Sequence, residues 1–229
     1  MQTQNPGLID VTRLSKKLCQ TSIDCKLAYA TQQNFLGRIV DGYHPDAAHI
    51  CLMASSAAHA LCAVQNSLSE LQLGLFVFDS YRPLRAVRDF GRWMHLAVHD
   101  DHELVRKEIH YPHIGKNQLA QMGYVCDHVS DHCYGDTIDL TLIDLKNKTL
   151  LDMGACFDFF DELSHSTATV EMIGVDALKH RQILSNAMQA VGFIPYEKEY
   201  WHFTFREREI EVPIDIAITA ELGESSWPS

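Results

Sequence analysis

The chain is organised around the stretch Ser130-Asp131-His132-Cys133-Tyr134-Gly135-Asp136-Thr137-Ile138-Asp139, which continues into the apolar-rich run 140–143. A second stretch, Glu199-Tyr200-Trp201-His202-Phe203-Thr204-Phe205, follows further along the chain. Together they offer His132, Asp139 and His202 as metal ligands and leave Glu199 as a spare carboxylate. Three protein ligands, a fourth position open to water and an unligated carboxylate nearby are typical of a catalytic zinc site.

The residues between the candidate ligands favour a loop that enters a strand. His132 and Asp139 are seven positions apart, which suits one face of a helix, but Gly135 and the alternating residues after it indicate a strand. A glycine at the bend lets the backbone turn so that the imidazole and the carboxylate converge. The glutamate three positions before His202 would face the opposite way in a straight strand, so we predict a bend or turn at 200–201.

Spacing alone leaves other interpretations open. A histidine and an aspartate at this separation often occur together by chance, and the second stretch also fits a core strand with a hydrogen-bonded histidine. Cys133 is a rival ligand because it adjoins His132, although adjacent side chains usually point apart, which favours a free buried thiol. Arg82 also fits a structural ion pair beside Pro83, and Asp158 fits a loop carboxylate that caps a backbone N–H.

Length and composition indicate one globular domain. The 229 residues suffice for one sizeable core, and the contents of 46% apolar and 21% charged residues are ordinary for a globular protein. The formal net charge of −11 argues against electrostatic binding of nucleic acid or anionic lipid. No apolar run approaches the roughly 18 residues that a membrane-spanning helix needs, so we expect neither nucleic acid nor membrane as a partner.

Cysteine usage and the N-terminal residues bear on the compartment. The seven cysteines are odd in number and scattered, without a C-x-x-C pair, so reduced thiols fit better than a disulfide framework. Residues 1–25 contain no apolar signal core. We therefore expect a cytoplasmic protein, or a periplasmic one if a signal peptide has been removed.

Hydrophobic periodicity and turn residues predict a mixture of helices and strands. Helical spacing of apolar residues predicts helices at 47–71, 84–99 and 176–191. Apolar and β-branched runs predict strands at 38–40, 74–79, 138–145 and 200–205, with a hairpin that returns through 150–151. We expect an irregular N-terminal arm at 1–22, one domain at 23–208 and a C-terminal tail at 209–229.

Several motifs together resemble the zinc D,D-peptidases, a superfamily that includes bacterial D,D-carboxypeptidases and the Hedgehog signalling domain. The two stretches are similar to the S-x-H-x-x-G-x-A-x-D and E-x-W-H motifs of that superfamily. Further segments resemble the VanX-type D-alanyl-D-alanine dipeptidases, namely 29–31, 34–35, 40–43, 79–83, 138–142 and parts of 153–165. The resemblance implies the Hedgehog/D,D-peptidase-like zinc fold, a single α+β domain with a central, mostly antiparallel sheet flanked by helices.

The same resemblance implies the roles of the residues in the two stretches. One Zn²⁺ per chain would be bound by His132, Asp139 and His202. Glu199 would act as general base, and Arg82 would stabilise the tetrahedral intermediate. The implied reaction is hydrolysis of D-alanyl-D-alanine, or of a similar small D,D-dipeptide, by a metal-activated water.

The resemblance also implies a small closed pocket and leaves alternatives for its use. Asp158 would meet the ammonium group of a dipeptide substrate, while Tyr29 and Ser130 would line the pocket. The alternatives are a D,D-carboxypeptidase or endopeptidase that acts on peptidoglycan stem peptides, and a non-catalytic zinc-binding interaction domain. A homo-oligomer is left open.

Four residues depart from the motifs of the family. Thr137 stands where alanine is usual, and Asp131 stands where serine is common. Cys133 and Tyr134 stand where close relatives often have serine and arginine. All four flank the candidate ligands without replacing them, so they bear on substrate range more than on metal binding.

Overall fold

The computed structural model of the chain describes residues 7–98 and 100–226. Its strands are β1 (Leu8–Asp10), β2 (Asp24–Cys25), β3 (Leu52–Ala54), β4 (Leu73–Asp79), β5 (Thr137–Asp144), β6 (Thr149–Leu150), β7 (Phe193–Pro195) and β8 (His202–Phe205). Its α-helices are α1 (Val11–Leu18), α2 (Ser55–Ser69), α3 (Leu84–His95), α4 (Asp101–His110), α5 (Val170–Ile173), α6 (Val175–Ala190) and α7 (Ala220–Ser225). Short 3-10 turns include Ala28–Ala30, Asp131–Tyr134 and Glu162–Ser164.

The main sheet is mixed and mostly antiparallel. Its strand order is β2-β4-β5-β8-β7, and β6 pairs with β5 outside this path. The β2–β4 pair is parallel, whereas β4–β5, β5–β6, β5–β8 and β7–β8 are antiparallel. Helix α2 contacts β4, helix α6 contacts β5, and the two helices contact each other. The prediction of a single α+β domain with a central, mostly antiparallel sheet is confirmed.

The two faces of the central strands differ in polarity. Leu75 and Val77 of β4 are fully buried in the apolar core. Because side chains alternate along a strand, Phe76 points to the other face, and the register places it opposite Thr141 of β5. Asp139 lies two positions before Thr141 and therefore shares this second face. One face thus supplies the core, and the other carries polar groups.

The predicted helix at 47–71 is wrong in its first part. Residues Leu52–Ala54 form β3, which pairs antiparallel with β1, and helix α2 begins only at Ser55. Leucine, methionine and alanine favour a helix locally, so the sequence gives no sign of a strand here. Pairing with a strand that is distant in sequence overrides the local preference.

The N-terminal segment differs from the irregular arm expected at residues 1–22. In its described part it forms β1 and α1, and both pack on the domain. Val11 and Leu14 are buried in the core, while the charged side chains of α1, those of Arg13, Lys16 and Lys17, are exposed. Residues 1–6 lie outside the described part of the chain.

The C-terminal segment differs from the expected tail in the same way. Ile214 and Ile218 are buried, and the N–H of Leu84 donates to the carbonyl of Ile214 at 3.0 Å. Isolated apolar residues in this irregular segment therefore attach it to the domain. The division of the chain at residues 22 and 208 itself stays a prediction.

The other predicted elements agree with the structure except at two places. Strands β4, β5 and β8, the β5–β6 hairpin and helix α6 lie where they were predicted, and α3 ends at His95 instead of 99. Residues 38–40 do not form the predicted strand; the N–H of Val40 donates to the carbonyl of Tyr29 within an irregular segment. Across the described residues, every helix is too short or too polar to cross a membrane.

Candidate metal centre and substrate pocket

Two of the candidate ligands lie directly opposite each other on neighbouring strands. Strand β5 pairs with β8 so that Asp139 faces His202. Directly opposed residues of antiparallel strands have Cβ atoms about 4.5–5.5 Å apart. The strand register alone therefore brings the carboxylate and the imidazole together, with Oδ1 of Asp139 lying 3.0 Å from Nδ1 of His202.

His132 reaches the same point from the turn Asp131–Tyr134, which precedes β5. Gly135 ends this turn with a φ of +75°, and a Cβ atom at this position would meet a neighbouring side chain at 2.6 Å. Glycine suits both the left-handed backbone and the close packing, so the predicted bend is confirmed. Nε2 of His132 lies 3.3 Å from Oδ2 of Asp139 and 3.4 Å from Nδ1 of His202.

Glu199 approaches the ligands because the chain turns before β8 begins. Tyr200 and Trp201 lie in a turn, and the N–H of His202 donates to the carbonyl of Glu199 at 3.2 Å. The predicted bend is confirmed. It leaves Oε2 of Glu199 at 3.6 Å from Nδ1 of His202, beside the ligand set and outside it.

The three side chains form a donor set that fits a metal ion. Their ligand atoms all lie within 4.8 Å of one another. The closest distances of 3.0–3.4 Å approach the roughly 3.3 Å between ligands of a tetrahedral zinc. Nδ1–H of His132 donates to the carbonyl of Ser80 at 2.7 Å, so Nε2 of the neutral ring presents a lone pair. Oδ1 of Asp139 is buried and has no hydrogen-bond partner among the described residues. A divalent cation would satisfy these convergent lone pairs.

Arg82 is buried beside the ligand set. Its Nε–H donates to Asp79 at 2.9 Å, and an Nη2–H donates to Asp139 at 3.3 Å. The guanidinium lies over the rings of Tyr29 and Phe90, 5.2 Å from each centroid. Burial acts to lower the pKa of Arg82, but the carboxylate of Asp79 and other neighbouring acidic groups together outweigh it, and the pKa is raised. The guanidinium has five N–H groups, so several remain for a bound ligand.

Two residues behind the ligands were not predicted as part of the site. Asp79 is fully buried, accepts a hydrogen bond from the hydroxyl of Tyr43 at 2.7 Å and lies 3.9 Å from Nδ1 of His132. Ser80 contributes the carbonyl that fixes the His132 ring. The available signal was an aspartate at the end of a buried strand, since such a carboxylate needs partners.

Asp158 and Tyr29 lie together at another wall of the site. The hydroxyl of Tyr29 donates to the carboxylate of Asp158, 3.1 Å from both oxygens. Asp158 is buried, and the described residues offer it no ion-pair partner within 4.0 Å; burial raises its pKa well above the usual value. Its φ of +60° is uncommon for a residue other than glycine. This wall therefore presents a buried carboxylate that lacks a cation.

These side chains surround one cavity of about 220 Å³. Seven of the eight predicted site residues line it, namely Tyr29, Arg82, Ser130, Asp139, Asp158, Glu199 and His202. His132 is completely buried, and its N–H donates to the hydroxyl of Ser130 at 3.4 Å. Pockets for drug-sized ligands measure about 300–1,000 Å³, so this cavity suits a smaller molecule.

A larger cavity of about 770 Å³ also has Asp158 in its wall. Its walls include Phe76, Phe78 and Phe157, and none of the three candidate metal ligands lines it. Clustered titratable groups with shifted pKa values mark reaction sites better than volume does. The smaller cavity is therefore the candidate active site.

The carboxylates of the small cavity differ in their protonation behaviour. Burial raises the pKa of Glu199 well above its usual value, and the nearby charges of Asp139 and Asp158 raise it further. Burial also acts to raise the pKa of Asp139, but its interactions with His132 and His202 outweigh this and lower it. One carboxylate is thus suited to accept a proton near neutral pH, and the other stays ionised as a ligand.

Cys133, the rival ligand, is a free and fully buried thiol outside the ligand set. Burial raises the pKa of its thiol to about 11. A thiol with this pKa remains protonated at neutral pH, and metals bind the thiolate. The expectation of a free buried thiol is confirmed.

The other departures from the family motif have local partners. Arg208 donates to Asp131 and to the buried Asp136, each at 2.7 Å, and its guanidinium lies 3.9 Å from the centroid of the Tyr134 ring. The hydroxyl of Thr137 forms a hydrogen bond with a threonine hydroxyl of β8 at 3.0 Å. These residues form a packed support for the turn that carries the first histidine.

Sequence comparisons identify relatives of this chain. The M15 peptidase family model described as D-ala-D-ala dipeptidase matches residues 12–217. A protein of Enterococcus faecalis named D-alanyl-D-alanine dipeptidase is 40% identical over 175 residues, which cover 76% of this chain and 82% of the relative. Relatives with the same name are 37% identical in Streptomyces coelicolor (78% and 84% covered) and 30% identical in Escherichia coli (79% and 78% covered). The matched range contains all eight predicted site residues.

Proposed function

The chain belongs to the D-Ala-D-Ala dipeptidase family of M15 peptidases, and we propose that this metallopeptidase hydrolyses D-alanyl-D-alanine, or a similar small D,D-dipeptide, in the 220 Å³ cavity. One observation carries the proposal. A ligand set of metal type, a buried glutamate with a raised pKa and a buried aspartate without a cation surround the same small space. This combination matches hydrolysis of a short zwitterionic peptide.

The proposed metal is one Zn²⁺ per chain, held by His132, Asp139 and His202. Two imidazoles and one carboxylate, with a fourth position open, form a common catalytic zinc site. Zinc bound there supplies a Lewis acid that lowers the pKa of water towards about 7 and polarises a carbonyl group. The carbonyl of Ser80 holds the His132 ring in the required orientation, as outer partners of ligand histidines usually do.

Glu199 is the proposed general base. Its carboxylate lies 3.6 Å from Nδ1 of His202, so a water molecule beside the ligand set is within its reach. It accepts the proton of this attacking water and later delivers the proton to the amine that leaves. Burial raises its pKa, which favours proton transfer near neutral pH.

Arg82 is proposed to stabilise the negative charge that develops on the carbonyl oxygen. Asp79 and Asp139 occupy only part of its N–H groups, so the remaining donors are free to bind the oxygen. These two carboxylates also fix the guanidinium before the substrate arrives. A preorganised donor of this kind contributes about 3–4 kcal/mol to transition-state stabilisation.

The proposed substrate-binding residues are Asp158, Tyr29 and Ser130. A free dipeptide carries an ammonium group, and the carboxylate of Asp158 offers a buried partner for it. The hydroxyl of Tyr29 holds both carboxylate oxygens in place, and Ser130 lines the cavity. The small volume leaves no room for a long stem peptide, which supports a dipeptide over a carboxypeptidase substrate.

We further propose that the reaction takes place in the cytoplasm. All seven cysteines are free thiols, which supports a reducing compartment. The three ligands and the base come from one chain, so the proposed chemistry requires no second copy. Light scattering on the purified protein would decide between a monomer and a homo-oligomer.

The test is a turnover assay on the purified protein, combined with metal analysis. It compares D-Ala-D-Ala, L-Ala-L-Ala and a pentapeptide that ends in D-Ala-D-Ala. We expect about one zinc per chain, efficient cleavage of the D,D-dipeptide, and cleavage of the other two substrates at least about a hundredfold slower.

The outcome also separates the alternatives. Cleavage of the pentapeptide as fast as the dipeptide would favour a carboxypeptidase or endopeptidase and contradict the closed pocket. Bound zinc without turnover of any of the three peptides would favour a non-catalytic interaction domain.

A further inference from the structure

The loop that carries Asp158 is attached to helix α6 by one buried arginine. We define the Asp158 loop as residues 153–165. The guanidinium of Arg181 donates to three carbonyls of this loop, those of Met153 at 2.6 Å, Leu163 at 2.8 Å and His165 at 2.9 Å. The first carbonyl precedes Asp158 in sequence, and the other two follow it. A single side chain therefore joins the two ends of the loop.

Tyr200 adds a second attachment and connects the loop to the proposed base. It directly follows Glu199, and the centroid of its ring lies 4.3 Å from Cζ of Arg181. Its hydroxyl donates to the carbonyl of Ala155 at 3.0 Å, and its N–H donates to the carbonyl of Ser164 at 2.9 Å. Arg181 and Tyr200 together fix the Asp158 loop against the turn that carries Glu199.

The burial of Arg181 is energetically unfavourable. Arg181 is only 5% exposed, and within the described part of the chain no carboxylate lies within ion-pair distance of it. Burial lowers its pKa to about 10. Burying a cation without a carboxylate partner is unfavourable, and well-packed apolar side chains often stabilise a protein as well or better. Unlike an apolar side chain, Arg181 provides three hydrogen bonds to the Asp158 loop.

Asp158 is a residue that needs such a fixed loop. It lies at a φ of +60° in a segment whose regular structure is limited to the 3-10 turn Glu162–Ser164. A carboxylate that meets a substrate ammonium must be held to about 0.5 Å. The hydroxyl of Tyr29 orients the carboxylate but does not fix the backbone beneath it.

We infer that Arg181, acting with Tyr200, is a positioning residue that fixes the carboxylate of Asp158 relative to Glu199 and so selects substrates with a free ammonium group close to the scissile bond. The inference rests on the proposed function. It assigns to Arg181 no contact with the substrate. Its effect passes through the carbonyls of the Asp158 loop.

The test compares the wild-type protein with Arg181→Lys on two substrates, D-Ala-D-Ala and N-acetyl-D-Ala-D-Ala. Lysine keeps the charge but cannot donate to three separated carbonyls in one plane. We expect KM for the free dipeptide to rise about tenfold, because a small misplacement of a binding group weakens binding strongly. The acetylated peptide has no ammonium group for Asp158, so its kcat/KM should stay within about twofold of the wild-type value. If its cleavage is too slow to measure, its inhibition constant is compared instead.

A purely structural role predicts a different result. Loss of folded protein would lower kcat equally for both substrates and leave KM unchanged, and this outcome would overturn the inference. Lys179→Arg is the matched control, because it makes the reverse exchange, also without a change of charge, at an exposed position of the same helix. Tyr200→Phe loses only the bond to Ala155 and should shift KM in the same direction by less; it also serves if Arg181→Lys does not fold.

Hydrogen exchange provides a readout that needs no activity. In Arg181→Lys, amides of the Asp158 loop should exchange at least about tenfold faster, while those of β5 and α2 stay unchanged. Unchanged exchange in the loop would overturn the inference whatever the kinetics show. A wild-type protein that cleaves no dipeptide would reject the proposed function, whereas the exchange result would still decide whether Arg181 fixes this loop.

Discussion

The metal ligands and the Asp158 loop form two sides of one cavity, but different interactions hold them. Asp139 and His202 face each other through the register of β5 and β8, which main-chain hydrogen bonds set. Asp158 lies in an irregular loop that Arg181 and Tyr200 hold through side chains. The comparison suggests that metal binding and substrate selection can be changed separately. Mutations on one side should leave the other side's function intact.

The largest effect is expected at Glu199, which lies between the two sides. Glu199→Gln keeps the size of the side chain but cannot accept the proton of water. We expect kcat to fall about 10²- to 10⁴-fold, the usual contribution of a general base. Zinc content should not change, because Glu199 is not in the ligand set. Steady-state kinetics and metal analysis of the same preparation measure both quantities.

Asp139→Asn is the matched variant on the ligand side, and it should lose both zinc and turnover. If Glu199→Gln lost zinc as well, Glu199 would belong to the metal side and the division of the cavity would be wrong. If it kept more than a tenth of the wild-type kcat, Glu199 would not be the base.

A smaller effect is expected at Asp158, on the substrate side. Asp158→Asn removes the charge that is proposed to bind the ammonium group, at nearly constant size. A hydrogen bond to a charged group contributes about 1.5–3 kcal/mol, which corresponds to a loss of roughly 10- to 150-fold in kcat/KM for D-Ala-D-Ala. Zinc affinity should remain at the wild-type value. Kinetics and a chelator competition test the two expectations.

Asp152→Asn supplies the control for Asp158→Asn, since Asp152 is exposed and lines only the larger cavity. It should leave kcat/KM unchanged. A weaker affinity for zinc in Asp158→Asn would contradict the separation of the two sides.

The reciprocal effect is expected at Arg208, which supports the metal side. Arg208→Gln removes the ion pairs with Asp131 and Asp136 beside the ligand turn. We expect zinc affinity to fall about tenfold, the lower end of the effect of removing an outer partner of a metal site. At saturating zinc, KM for D-Ala-D-Ala should equal that of the wild type. Arg206→Gln changes an exposed arginine of the same segment and serves as the control.

Part of the metal side could be predicted from sequence because His132, Gly135 and Asp139 lie close together in the chain. Gly135 indicates the bend, the alternating residues after it indicate β5, and the stretch 199–205 supplies His202 on the partner strand. Regular elements convert such spacing into positions in space. The prediction of the turn at 200–201 followed from the same periodicity, since a straight strand separates Glu199 from His202.

The substrate side could be recognised only through family resemblance, and its support could not be predicted. In the sequence, Arg181 cannot be distinguished from the other polar residues of its helix. Nothing near it in sequence indicates that it donates hydrogen bonds to carbonyls of residues 153–165. Strand β3 was missed for the same reason, since it forms by pairing with β1, which is distant in sequence. The role of the Ser80 carbonyl in orienting His132 likewise cannot be inferred from a pattern of side chains, because the contact is made by the main chain.

The smallest functional effect is expected at Asp89, which belongs to neither side of the cavity. It tests whether a loss of stability alone changes zinc binding or substrate binding. Asp89 of α3 accepts hydrogen bonds from Arg38 at 2.6 and 3.0 Å and from Arg92 at 3.1 Å. Burial acts to raise its pKa, but the bond from Arg38 and its other partners outweigh this, and the pKa is lowered.

A carboxylate whose pKa is lowered by folding stabilises the protein above its unfolded-state pKa of about 3.9 and loses this contribution as the pH falls through the folded-state value. Asp89→Asn should therefore cost up to about 1 kcal/mol at pH 7, because both arginines are partly exposed, and the difference from the wild type should shrink as the pH approaches about 3. Urea unfolding at several pH values measures this difference in the free energy of unfolding.

Zinc affinity and KM per folded molecule should stay unchanged, because Asp89 contacts neither the ligands nor the Asp158 loop. A rise in KM in this variant would mean that loss of stability alone loosens the substrate side, and the changes expected for Asp158→Asn and Arg181→Lys would then no longer identify those residues as its specific determinants.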